Sequence, residues 1–143
     1  MLTVTFSATL EEVDSAVLAL RNEAARTLAE PALIRLEIAI TEAFNNIVRH
    51  GYPSPGGTIE ATCREQQDGV AVTILDTGRP VPDNSFAGRA SLPDDPLEES
   101  GRGIALILSC ADSVGYRSEA GRNELSLTFL REEAKQRREA VRQ

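Results

Sequence analysis

The sequence lacks any basic surplus: 22 acidic side chains face 15 lysines and arginines, for a formal net charge of −7. Contact with a phosphate backbone favours a basic face, which argues against nucleic acid as the main ligand while leaving room for a small local phosphate site. The sequence also lacks an apolar run long enough to span a membrane. Its first residues, "MLTVTFSATL", have neither a basic n-region nor a long apolar core, so no signal peptide is expected. Cysteine is scarce. Cys63 and Cys110 stand far apart without metal-ligand spacing, and the simplest expectation is two reduced thiols in a cytoplasmic protein. Internal repeats and low-complexity tracts are absent.

What is present is ordinary for a soluble globular chain: 41% hydrophobic and 26% charged residues over 143 positions, the length of one domain. "LTVTF" is rich in β-formers and reads as a strand. Thr9 and Glu12 have capping-box spacing, and Leu10, Val13, Val17, Leu20, Ala24 and Leu28 then recur at helical intervals. Pro31 suits the first turn of a second helix, which runs to about His50 and stops at Gly51. "TIEATCRE" alternates, "QQDG" reads as a hairpin connection, and "VAVTILD" is apolar on both faces, as a central strand would be. Residues 81–100 are aperiodic, with several prolines and an acidic cluster. A loop of that length inside a compact domain is usually functional. "GRGIALILSCA" resumes a helix beginning at its glycines, and "VGYRS" and "ELSLTFL" form a final hairpin around "EAGRN". Residues 131–143 are a charged helix or a frayed tail. Segregated helices and hairpins indicate an α+β two-layer sandwich with a mostly antiparallel sheet and helices on one face.

Three constellations could carry chemistry. In "AITEAFNNIVRHGY", Glu42, Asn46 and His50 follow at four-residue steps, which stack side chains on one helix face. A carboxylate one turn from an amide oxygen could hold a hard cation or activate a hydroxyl. The same residues could instead be a solvated polar face, with His50 a favourable cation at the negative helix end. In "TILDTGRP", Asp76 closes an apolar strand. It either makes a local turn bond or accepts a hydrogen bond from an exocyclic amine in a pocket, and Gly78 would let backbone approach a ligand. In "SGRGIALI", two glycines open a helix whose free N–H groups and dipole would attract phosphate. Without a following GK[ST] this is not a Walker A loop.

Taken in order, "EAFNN", "DTGRP" and "GRGIAL" resemble the three boxes of the Bergerat (GHKL) ATP-binding fold, the superfamily of gyrase-like ATPases and histidine-kinase catalytic domains. The resemblance runs from the first strand to "ELSLTF". The small size and "TEAFNNIVRHGY" are most similar to the anti-sigma-factor serine-protein kinases of partner-switching systems.

That resemblance implies the following roles. Glu42 is the general base toward a substrate serine, and Asn46 ligates magnesium on the phosphates of ATP. Asp76 binds the adenine amino group, with Gly78 in the base pocket. Gly101 and Gly103 offer N–H groups to the phosphates, Arg102 reaches the phosphates or the lid, and residues 81–100 are that lid. The implied partners are a small anti-anti-sigma antagonist as substrate and a sigma factor or comparable regulator held by the kinase. A homodimer through the edge of the N-terminal strand is also implied, with neither nucleic acid nor membrane as a direct partner. The pattern has departures: Pro80 stands where a glycine is common, Val81 where an aromatic is frequent, and Asn123 where many members carry a threonine that helps hold phosphate. An ATP-binding regulatory module without kinase activity, a histidine-kinase fragment and a purely structural α+β domain are the rival readings. A fragment of a histidine kinase would want a phosphoacceptor histidine on a preceding helix.

Overall fold

The computed structural model describes residues 1–52, 56–82, 85–86 and 99–142, with the side chains of residues 99 and 100 excepted. The elements follow in the order β1 (Leu2–Ser7), α1 (Leu10–Ala24), α2 (Ala32–Asn46), a π-helical turn (Ile47–Gly51), β2 (Thr58–Gln66), β3 (Gly69–Asp76), α3 (Glu99–Cys110), β4 (Ser113–Glu119), β5 (Arg122–Leu130) and α4 (Glu132–Arg142). The strands form one sheet in the order β1-β2-β3-β5-β4. The sheet, expected to be mostly antiparallel, is antiparallel in every pairing.

The two-residue period of the strands decides which face is covered. Val70, Val72 and Ile74 of β3 point to the same side as Leu125, Leu127 and Phe129 of β5, and all six are buried. On this side lie the buried residues of α1 (Val13, Val17, Leu20) and α2 (Leu36, Ile40, Phe44), which complete one core. Phe44 meets Phe6 of β1 edge-to-face, with ring centroids 5.0 Å apart. The opposite face is more polar, with the Thr3 and Thr62 hydroxyls 2.9 Å apart across β1 and β2, although Ala71 of β3 and Leu130 of β5 are buried on it. Strand β3 lies third of five, in agreement with its apolar sequence, and β1 and β4 are the edges.

Local signals misplace several boundaries. Thr9 occupies the N-cap of α1, but its side chain makes no cap bond; its backbone carbonyl accepts the Glu12 N–H instead. Helix α1 stops at Ala24, although Leu28 is still buried against the core. Periodicity records which residues are buried, and a turn that folds back under the core satisfies it as well as a helix does. Gly51 does not terminate α2 as a left-handed cap, since its φ is not positive. The helix widens into a π turn there, a feature frequent at functional sites. Helix α3 begins at Glu99, two residues before the glycines expected to open it. The hairpin between β4 and β5 turns on Ala120 and Gly121, both at positive φ, as a tight two-residue turn demands.

The charged C-terminal segment is the helix α4. Glu132 pairs with Arg35 of α2, Lys135 with Asp112, and Arg137 and Arg138 with Asp68 in the β2–β3 turn. These contacts hold α4 at the end of the sheet away from Asp76. No helix among the described residues is long and apolar enough to cross a membrane.

Cys63 packs in the core on β2, and burial, with the nearby Glu23 charge adding to it, pushes its thiol up from 9.0 to about 11. Because the folded value lies above the unfolded one, the unfolded chain loses this proton first as pH rises, and stability falls between those two values. The denaturation midpoint should therefore drop from pH 9 to 11 less steeply in Cys63→Ala than in the parent chain, as followed by urea titrations; parallel slopes would refute it.

Candidate functional site

A cavity of about 450 Å³ opens where α2, the π turn and α3 meet the end of the sheet. Its volume is in the range of small-ligand pockets. Asn46, His50 and Gly51 line it from the helix side, Asp76 and Leu125 from the sheet, Gly101 and Ile104 from the start of α3, and Tyr116 from β4. The structure thus brings Asn46, Asp76 and Gly101, one residue from each of the three sequence boxes, to one cavity.

The expected residues do not all line it. Glu42 lies one turn before Asn46 and faces the start of α3. A Cβ on Gly103 would approach the Glu42 Oε2 to 3.1 Å. Gly103 is therefore buried against the carboxylate, and it stands a turn inside α3 rather than ahead of it. Gly101 is in the first turn, where helix N–H groups lack intrahelical acceptors. Arg102 is exposed and outside the cavity lining. His50 does line the cavity, although the π turn breaks the strict four-residue stacking that the sequence suggested. Of the segment 81–100, Val81, Pro82, Ser85 and Phe86 are described and belong to the cavity wall. Residues 83–84 and 87–98 of the expected lid lie outside the described residues.

Gly78, expected in the pocket, is not among the residues lining the cavity; its contact is with backbone. A Cβ there would come within 2.4 Å of the Gly51 carbonyl oxygen, and that same oxygen accepts the Arg79 N–H. The close approach welds the end of α2 to the turn after β3. Tyr52 reinforces it: its hydroxyl donates to the Thr58 carbonyl at 2.8 Å and accepts the Thr77 N–H at 3.0 Å. Gly57 makes room for that ring, since a Cβ would fall 2.4 Å from it.

Asp76 takes the local turn bond: its Oδ1 accepts the Gly78 N–H at 2.8 Å. It also lines the cavity, so the turn role and an outward-facing role coexist. Asn123 lies directly across the ladder from Asp76 and donates to the same Oδ1 at 2.8 Å. Asn123, noted in the sequence as a departure from the family's threonine, stands behind Asp76 and does not line the cavity.

Sequence reasoning missed Tyr116, Phe86 and Tyr52. The Tyr116 hydroxyl accepts the Val81 N–H at 2.9 Å, and its ring packs on Phe86 with centroids 5.2 Å apart. Burial pushes its phenol up, partly offset by that Val81 N–H. A sequence signal existed: aromatics are scarce here, and both tyrosines adjoin a glycine. Cys110, at the end of α3, is raised by burial, against the lowering influence of Arg35. Among the described residues no three His, Cys, Asp or Glu side chains gather as a metal site.

An antiparallel sheet under helices, with a cavity bounded by a helix start and a strand-end aspartate, is the architecture of ATPase domains of the histidine-kinase type. The catalytic domain of histidine kinase ThkA superposes with a TM-score of 0.57 at 15% identity, covering 92% of this chain and 97% of that one. The RsbU and RsbW domains of a Mycobacterium tuberculosis protein superpose at 0.58 with 17% identity, over 92% of this chain and 33% of that one. Residues 6–129 match the histidine kinase-like ATPase domain, and the chain belongs to that family.

Within it, the chain is similar to the serine-protein kinase RsbW of Bacillus cereus, 27% identical over 103 residues, covering 68% of this chain and 64% of the relative. It is also similar to the anti-sigma F factor of Clostridium acetobutylicum, 28% identical over 90 residues, covering 61% of this chain and 62% of that one. The chain thus spans just under two thirds of the length of these curated relatives.

The contact between Gly78 and Gly51 yields a test. Gly78→Ala must push two backbone segments apart, and overpacking of this kind costs typically about 1–3 kcal/mol. Chemical denaturation should show a loss of that order. An unchanged midpoint would mean that the two turns separate freely.

Proposed function

We propose that the chain is an ATP-dependent serine-protein kinase that phosphorylates a small anti-anti-sigma antagonist and sequesters a sigma factor or comparable regulator. The observation that carries the reading is the convergence of Asn46, Asp76 and Gly101 on one cavity. In this reading adenine lies toward Asp76, whose carboxylate accepts its amino group, and Gly78 shapes the base pocket. The phosphates lie toward the first turn of α3, where Gly101 contributes its N–H. Gly103 acts through its fit against Glu42 as well as through its backbone, and Arg102 reaches toward the phosphates or the lid from outside.

Magnesium suits the donor set. Among the described residues no cluster of carboxylates gathers, so these would leave a hard cation to phosphate oxygens and water, and Asn46 has the amide oxygen to join them. The ion would neutralise charge on the phosphates. Glu42 would take the proton from the substrate serine hydroxyl, and residues 81–100 would cover the nucleotide. Phosphorylated antagonist would dissociate, leaving the kinase to hold its sigma factor. The outer edge of β1 offers unpaired backbone groups for a second copy. An ATP-binding module without kinase activity is the alternative, and phosphoryl transfer discriminates the two.

Two experiments test the reading. With labelled ATP, magnesium and an anti-anti-sigma protein, label should move to the antagonist, and Glu42→Gln should slow transfer by about 10²–10⁴-fold while nucleotide still binds. Asn46→Ala should weaken nucleotide binding as well as transfer. Wild-type transfer by Glu42→Gln would remove the catalytic role, and absence of transfer by the parent chain would leave the binding-module alternative. Calorimetry should separately show adenine nucleotides binding more tightly than guanine nucleotides, because a carboxylate repels the guanine carbonyl. Asp76→Asn should weaken the adenine nucleotide, and equal affinities in the parent chain would overturn the base assignment.

A further inference from the structure

Asn123 is the one polar side chain that is fully buried among the described residues, with 2% of its surface exposed. A buried amide is costly unless its donors and acceptor are matched, and an apolar side chain would fill the same space without that demand. Every polar group of this amide is matched. Its Nδ2 donates to Asp76 Oδ1 at 2.8 Å and to the Gly78 carbonyl at 2.9 Å. Its Oδ1 accepts the Ser118 hydroxyl at 2.7 Å. The amide orientation follows from chemistry: a carboxylate and a carbonyl can only accept, so the NH₂ group must face them. Ser118, whose hydroxyl can donate, then faces the oxygen.

These three residues form one rung of the sheet. Ser118 is directly opposite Asn123 across β4 and β5, and Asn123 is directly opposite Asp76 across β5 and β3. Directly opposed side chains are near enough to bond without strain. Both the Asn123 and the Gly78 bonds fall on the same carboxylate oxygen. Oδ2 makes no hydrogen bond among the described residues, while Asp76 itself lines the cavity. Asn123, with all its bonds spent inside the rung, has none left for a ligand.

We propose that Ser118 and Asn123 are positioning residues that lock the Asp76 carboxylate in one rotamer, so that a single oxygen, Oδ2, reads the ligand base. Base selectivity is then set by a relay that never touches the nucleotide. The proposal rests on the nucleotide reading of the cavity. Without Asn123 the carboxylate keeps only the Gly78 N–H and is free to turn, and the Gly78 carbonyl loses its donor. Orientation of the acceptor is what distinguishes an amino group from a carbonyl, so selectivity should fall before general affinity does.

The test is calorimetry of ADP and GDP binding to the parent chain, Asn123→Ala and Ser118→Ala. The parent chain should prefer ADP. Asn123→Ala should lower ADP affinity by about 5- to 150-fold, the span of one lost polar contact, with GDP affinity little changed. Ser118→Ala, a milder change at the end of the rung, should shift the ratio in the same direction by less, and it carries the test if Asn123→Ala does not fold. A parallel loss of ADP and GDP affinity would mean a merely structural role and would overturn the relay, as would an unchanged ratio in both variants. A parent chain that shows no preference for ADP fails before any variant is made, and then the base assignment of Asp76 falls with the relay.

Discussion

The close approach of two backbones, at Gly51 and Gly78, governs the geometry of the site. The Gly51 carbonyl accepts the Arg79 N–H, and Gly78 has no room for a side chain, since a Cβ there would lie 2.4 Å from that same oxygen. Through this contact the end of the long core helix is registered on the end of the central strand. Asn46 and Asp76 lie 30 positions apart in sequence, so nothing local relates them. The contact fixes their separation, and the Tyr52 hydroxyl clips the same junction from the other side. The π turn belongs to this arrangement, since it carries the chain from the helix to the junction without a left-handed cap.

A second principle is polar satisfaction in a mostly apolar layer. The covered face of the sheet is largely apolar until its last rung, where Ser118, Asn123 and Asp76 interrupt the run of apolar side chains. Asp76 on that rung lines the cavity. At the opposite end, Asp68 and Asp112 are matched by Arg137, Arg138 and Lys135 of α4. Partly exposed pairs of this sort are each worth only about 0–1 kcal/mol. The two ends differ: at one the polar groups are closed by ion pairs within the protein, and at the other Asp76 also lines a cavity.

Glu42 and Gly103 illustrate how a motif residue can have two explanations at once. The glycine is expected from sequence for its N–H, yet in the folded chain its missing side chain makes space for a carboxylate. Asp76 likewise makes its turn bond and still lines the cavity. Alternatives that look exclusive along the sequence become compatible when a side chain has two oxygens or a residue has two faces.

Much of the fold was legible in the sequence for a simple reason: strand and helix periods are local properties of side-chain burial. The alternation in β2, the two-sided apolarity of β3 and the amphipathic course of α2 are all readable from neighbours within two turns. The boxes holding Asn46, Asp76 and Gly101 were legible because each is contiguous. What the sequence could not supply was any contact whose partners are far apart along the chain. The placement of Asn123 behind Asp76 was decided by pairing across the sheet, and the missing Thr9 cap bond and the end of α1 at Ala24 run against the local pattern. Local sequence determined which residues could be helix, strand and turn, and which carried reactive groups. Only the tertiary structure decided which of those groups meet, because strand register and the contact of two glycine backbones set distances that no local pattern encodes.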